Sequence, residues 1–262
     1  MKKLAIYGCG KLGRIVAMAV ANGLLPEYEL VGLYSRTQAS AQRLAVELQS
    51  KGLAPKVCAT QDELLHLAPD YIAEASSPAG MRTLAIPALE RGISIVGLSI
   101  GAFADDAFYA QVAATAKAHN ARVYVASGAT GGFDVLRTAT LMGGATAEFI
   151  NEKGPDGLKG TAVYDDKLLE EQRVVFQGTA KEAIALFPTK VNVTVAAARA
   201  SVSPDNLRVV IHSSPYFKGD TQKVVIRNAQ VHASVDIYSR TSEIAGWSVV
   251  ATLQNIVSPI VF

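Results

Sequence analysis

The chain has 262 residues, 25 Lys+Arg against 23 Asp+Glu for a net charge of +2, and 50% apolar residues at mean hydropathy +0.22. This balance excludes a basic nucleic-acid arm and an acidic tail, and the apolar content excludes a disordered chain. Two cysteines, Cys9 and Cys58, are too few for a disulfide framework. No run reaches the roughly 18 uncharged apolar residues of a membrane span, and Gly8, Gly10, Lys11, Gly13 and Arg14 interrupt any secretory h-region. The four histidines are scattered and neither cysteine sits at ligand spacing, so no metal site is expected. The expectation is a cytoplasmic α/β protein with neither a nucleic-acid nor a membrane partner.

Short apolar or β-branched runs at Leu4 to Tyr7, Leu30 to Tyr34, Tyr71 to Glu74, Ile93 to Gly97 and Arg122 to Val125 predict strands. Between them, Lys11 to Leu24, Ala39 to Gln49, Pro78 to Arg91 and Asp105 to His119 carry the apolar recurrence of helices with one face on a sheet. Strands alternating with helices predict right-handed βαβ units and a doubly wound parallel sheet. After Val125 the pattern changes. Helices are predicted at Gly132 to Met142 and Ala180 to Phe187, among period-two segments at Gln172 to Gln177, Asn206 to His212 and a long paired run from Lys223 to Tyr238. This predicts a second, smaller domain with an antiparallel or mixed sheet. A last helix, Thr241 to Val257, has Ser239 and Thr241 as capping candidates and stops before Pro259. The expected division is 1–127 with 241–262 as a dinucleotide-binding domain, and 128–240 as a catalytic and dimerisation domain.

Gly8-Cys9-Gly10-Lys11-Leu12-Gly13 follows the first strand and opens a helix. In that setting Gly8 permits the tight turn, Gly10 lets the backbone approach a pyrophosphate, Gly13 permits close helix-sheet packing, and the helix N-terminus offers free N–H groups to phosphate. A ligand-free glycine turn is the plainer alternative. The second strand ends in Ser35-Arg36 where a ribose-binding carboxylate is usual. A hydroxyl followed by a guanidinium suits a 2′-phosphate, which favours NADP, with NAD as the alternative.

The combined pattern resembles the L-aspartate dehydrogenase family in the blocks GCGKLG (8–13), EASSPA (74–79), SIGAFAD (99–105), SGATGGFD (127–134), EKGPDGLKG (152–160), FQGTAKEAIALFPTKVNV (176–193) and SRTS (239–242). The resemblance implies a Rossmann domain joined to a mixed α/β catalytic domain, a homodimer, and reversible oxidative deamination of a small amino acid such as aspartate. By position it also implies cofactor contacts from Lys11, Leu12, Ala75 and Ser76, and nicotinamide contacts from the Ala129 N–H and Asn192. Lys153, Arg240, Thr241 and Ser242 fall in blocks matching the substrate carboxylate donors, although Thr241 and Ser242 suit simple helix caps equally well.

One block departs from the family pattern, which there has an Asn and, two residues on, an acid/base His. Here Asp220 takes the place of the Asn and Gln222 that of the His, in the register set by Pro215. A Gln side chain has no proton to exchange near neutral pH. Three readings follow: His212 or Asp220 carries the proton transfer, the substrate has changed, or the protein binds cofactor without turnover.

Overall fold

The computed structural model describes residues 1–187 and 191–262, and the chain divides into two compact units, Met1–Gly128 with Glu243–Phe262, and Ala129–Ser242. The Pro-Thr-Lys part of the FPTKVNV string falls outside the described residues.

The first unit contains a six-stranded parallel sheet formed by β1 (Lys2–Tyr7), β2 (Tyr28–Tyr34), β3 (Lys56–Val57), β4 (Tyr71–Glu74), β5 (Ser94–Gly97) and β6 (Val123–Val125). Its order is β3-β2-β1-β4-β5-β6, the doubly wound arrangement, with the chain reversing direction across the sheet beside β1. The helices are α1 (Lys11–Ala21), α2 (Gln38–Gln49), α3 (Gln61–His66), α4 (Pro78–Leu89) and α5 (Asp106–Ala118). The short β3 and α3 were not expected from periodicity, since each is too brief to show it. Thr60 caps α3 by accepting from the Glu63 N–H at 3.1 Å.

The last helix, α9 (Glu243–Val257), packs on α1 in this unit. A Cβ at Gly246 would stand 2.8 Å from the Ile15 side chain, so the glycine sets how closely the two helices approach. Val249, Val250 and Leu253 join Val16, Ala17 and Leu25 in the core, and the Tyr28 hydroxyl donates to the Leu253 carbonyl at 2.7 Å. The helix starts two residues later than expected, and Ser239 ends a strand instead of capping it.

The second unit is built on a mixed sheet of β7 (Thr146–Lys153), β8 (Arg173–Thr179), β9 (Arg208–Ser213), β10 (Asp220–Arg227) and β11 (His232–Ser239), in the order β11-β10-β7-β9-β8. Helices α6 (Phe133–Leu141), α7 (Ala180–Leu186) and α8 (Asn192–Ala200) complete it. The expected paired run resolves into the β10–β11 hairpin, whose Asn228 Oδ1 accepts from the Gln230 and Val231 N–H groups at 2.8 Å and closes the turn. The central strand β7 was not among the predicted ones. Glu148, Asn151 and Glu152 dilute its alternation, and it is pairing on both sides, antiparallel to β10 and parallel to β9, that makes it a strand.

Candidate active site

The glycine loop sits between β1 and α1 of the first unit. Gly8 has φ +107°, and its N–H donates to the Tyr34 carbonyl at 2.8 Å. Gly10 is the residue before α1 and makes no side-chain cap, so the first-turn N–H groups have no side-chain acceptor there. A Cβ on Gly10 would meet nothing within 4 Å, whereas one on Gly13 would drive into the Gly8 carbonyl. The loop therefore leaves open space at Gly10 and close packing at Gly13, which suits a pyrophosphate at the helix N-terminus.

A cavity of about 410 Å³ lies beside this loop, lined among others by Gly8, Gly10, Ser35, Arg36, Ala75 and Ser76. Six sequence-selected cofactor positions thus converge although they come from three separate βα junctions. Arg36 has no ion pair or hydrogen bond among the described residues, so its guanidinium is available to an anionic ligand. Lys11, Leu12 and Gly13 are not in the lining. The Lys11 ammonium pairs with Glu243 at 3.0 Å, Leu12 packs against the core, and Gly13 is buried. The Cys9 thiol is 6% exposed and burial pushes it up to about 12, which leaves it a neutral filler of the loop.

In the second unit the key fact is strand register. Gln222 of β10 pairs with Asn151 of β7, and Asn151 pairs with Ile211 of β9. Residues directly opposite share a sheet face, and so do residues two apart on one strand. Asp220, Gln222, Asn151 and Lys153 therefore stand together. The Asp220 carboxylate accepts from Asn151 Nδ2 at 2.6 Å and from Gln222 Nε2 at 2.6 Å, and Lys153 Nζ lies 3.9 Å away. Asn151 and Gln222 are buried, at 3% and 4% exposure, and their amides tether one carboxylate oxygen each.

This group lines a cavity of about 190 Å³ together with Ala129, Asn192 and Thr194 and the apolar side chains of Phe149, Leu158 and Ile211. His212 is not part of it. It is the neighbour of Ile211 on β9 and the partner of Glu152 on β7, so it projects from the opposite face. Its candidacy for proton transfer within this cavity is removed by the pleat. Arg240, Thr241 and Ser242 are exposed and are not in the lining, leaving Lys153 as the substrate-binding candidate that the cavity contains.

The family model described as "Homoserine dehydrogenase, NAD binding domain" matches residues 8–126, and the one described as "Aspartate dehydrogenase, C-terminal" matches residues 134–256. L-aspartate dehydrogenases of Methanocella arvoryzae and Methanosarcina acetivorans are each 29% identical over 272 aligned residues, covering 99% of this chain and 98% of theirs. The chain is thus similar to L-aspartate dehydrogenases over its full length, and its C-terminal part matches the aspartate dehydrogenase model. An aspartate dehydrogenase from Thermotoga maritima, 24% identical, has the same fold at TM-score 0.77, with 100% of this chain and 99% of that one covered.

Asn151, which lines the second-unit cavity and donates to Asp220, is not among the residues the sequence singles out. Its signal was a lone amide between Phe149 and Lys153, two residues from each, in a segment not recognised as a strand. Tyr7, Thr37 and Thr83, which line the cavity beside the glycine loop, are likewise not singled out by the sequence. The Tyr7 hydroxyl donates to Gln61 Oε1 at 3.0 Å, and burial raises its ionisation above the ordinary tyrosine value, so it stays a neutral phenol.

Proposed function

We propose that the protein is an NAD(P)-dependent dehydrogenase of the aspartate dehydrogenase type, acting on the C–N bond of a small amino or imino acid. The observation that carries this reading is the second-unit cavity, where Lys153 and Asp220 stand beside Ala129 and Asn192, the two positions assigned by resemblance to the nicotinamide. The bound nicotinamide would supply the hydride acceptor. Amino acid and NADP⁺ then give imino acid, NADPH and a proton, and water converts the imine to a 2-oxo acid and ammonia. In the cavity, the Lys153 ammonium suits a substrate carboxylate, and Asn192 offers a carboxamide for orientation. Of the proton-transfer candidates in the sequence, Asp220 faces this cavity and His212 does not. NADPH oxidation with ammonia and a panel of 2-oxo acids tests the reading. If NADPH binds without turnover on any of them, the protein is a nucleotide-binding module.

Gln222→His should raise aspartate-dependent NADP⁺ reduction at least about tenfold, because a general acid/base group typically contributes 10²-fold or more. An unchanged rate in steady-state assays would show that a missing imidazole does not limit this protein.

The cofactor preferred in this reading is NADP(H). The partnerless Arg36 in the cofactor cavity supports it, since a charge-assisted bond to the 2′-phosphate is worth about 1.5–3 kcal/mol. Arg36→Ala should weaken NADPH binding roughly 10- to 100-fold and NADH binding little. Equal affinities of the unmodified protein for the two cofactors in a fluorescence titration would overturn this preference.

The reading also includes a cytoplasmic homodimer. Both cysteines are free and buried. The second sheet's face opposite the cavity carries Val174 at 47% and Tyr238 at 53% exposure among the Glu148–Arg208 and Lys223–Asp236 pairs, an apolar and charged mixture suited to a two-fold contact.

A further inference from the structure

We propose that Asn151 is a positioning residue, which aims Asp220 so that this carboxylate takes a proton from the substrate ammonium in the second-unit cavity. The inference rests on the amino-acid dehydrogenase reading above and adds to it the group that acts and the group that holds it.

The amide of Asn151 has one orientation. Its Nδ2 lies 2.7 Å from the Thr221 carbonyl, a group that only accepts, so the atom facing it is the nitrogen. The second N–H of the same nitrogen meets Asp220 Oδ1 at 2.6 Å. Asn151 is thus tied to backbone on one side and to the carboxylate on the other, at 3% exposure, where water competes little for either bond. The backbone sets Asp220 as well. Gly219 precedes it at φ +102°, and a Cβ there would drive into the Ser239 carbonyl, so the turn delivers Asp220 directly into its pairing with Ser239 of β11. Gln222 Nε2 holds the other oxygen, Oδ2, at 2.6 Å.

With an amide on each oxygen the carboxylate keeps lone pairs to spare, and 38% of its side chain is accessible. In this step a substrate N–H bond breaks and an O–H bond forms on Asp220, which becomes a neutral carboxyl group. The bonding pair stays on nitrogen as the amine lone pair, and the proton passes to solvent over the exposed part of the side chain. Facing Asp220 are Lys153 from β7 and Ser239 from β11, with Asn192 and Thr194 of α8 in the same lining. Any other charge that reaches the cavity is common to the unmodified protein and its variants, so their comparison reads the pair 151 and 220. The later attack of water on the imine is a separate step, and it is there that Gln222→His adds a proton carrier.

Steady-state NADP⁺ reduction by the full chain tests this, using whichever of L-aspartate, L-alanine and L-2-aminobutyrate the unmodified protein turns over fastest. Asp220→Ala should lower kcat at least about 100-fold, and sodium formate, a carboxylate small enough for the vacated space, should restore part of it where sodium chloride does not. Asn151→Ala should lower kcat at least about tenfold, with KM for the amino acid and NADPH affinity in a fluorescence titration within about threefold. In the Asp220→Ala background the same change should cost nothing further, whereas a merely structural role would cost as much again. If the alanine variant does not fold, Asn151→Asp keeps the shape. Two carboxyl groups at hydrogen-bond distance then share a proton, so its loss in kcat should shrink as pH rises. Turnover that survives Asp220→Ala, or a loss that formate does not relieve, would overturn the assignment of Asp220. Unchanged kcat in both Asn151 variants, or losses that multiply in the double variant, would overturn the positioning role. No turnover of any of the three probes by the unmodified protein would instead overturn the dehydrogenase reading, and this inference with it.

Discussion

Gly8→Ala should cost about 2–4 kcal/mol of stability and weaken NADPH binding by more than about 100-fold. Residue 8 sits at φ +107°, where a Cβ is strained, and that Cβ would stand 2.6 Å from the Ala75 carbonyl oxygen and 2.9 Å from the Ser76 nitrogen. Both are backbone atoms on the β4–α4 connection, so relief requires moving one loop or the other, and both line the cofactor cavity. Gly10→Ala is the informative companion. Its Cβ would enter open space, so folding stability should change by less than about 1 kcal/mol while cofactor affinity still falls, because the methyl fills the approach a phosphate would use. Urea unfolding and fluorescence titration of the two variants separate the effects. A Gly8→Ala protein unchanged in both would show that the loop does not depend on this turn.

The second large effect is expected at Glu74, the last residue of β4, which is 0% exposed. Its Oε1 accepts from the Ser76 N–H at 2.8 Å, the Ser76 hydroxyl at 2.7 Å and the Ser99 hydroxyl at 2.7 Å, and its Oε2 accepts from the Ser99 N–H at 3.0 Å. Four donors from two loops thus converge on one buried carboxyl group. Removing it strands the Ser99 pair, which is only 3% exposed, and opens a void beside Gly97, where Oε2 would lie 3.7 Å from an added Cβ. A buried donor without an acceptor costs about 1–3 kcal/mol, so Glu74→Ala should lower unfolding free energy by about 2–4 kcal/mol. Glu74→Gln, which keeps the shape and one acceptor oxygen, should lose less than half of that. A denaturation midpoint for Glu74→Ala equal to that of the unmodified protein would contradict this account. Because Ser76 lines the cofactor cavity, the alanine variant should also bind NADPH more weakly.

The α/β class and the Rossmann half were legible because their signals are local. The Gly8-Gly10-Gly13 spacing, the apolar period of α1, α2, α4 and α5, and short runs such as Tyr71–Glu74 each speak within a dozen residues. Ser35 and Arg36 were found the same way, by counting from the last glycine to the end of the next strand.

The second unit shows the limit of such reading. Asp220 and Gln222 stand out by sequence position, but they lie ahead of Lys223, where the alternating pattern begins. In the structure β10 already begins at Asp220, and strand alternation puts both side chains on one face. Asn151 reaches them only because β7 pairs with β10 across nearly seventy residues of sequence, and His212 leaves the cavity through the same register. Glu74 likewise owes its four hydrogen bonds partly to Ser99, brought beside it by the adjacent strand β5. Composition and periodicity determined which elements form and which face of each helix is apolar. Strand pairing between distant segments decided which polar side chains meet, because a shift of one residue in register turns every side chain to the other face of the sheet.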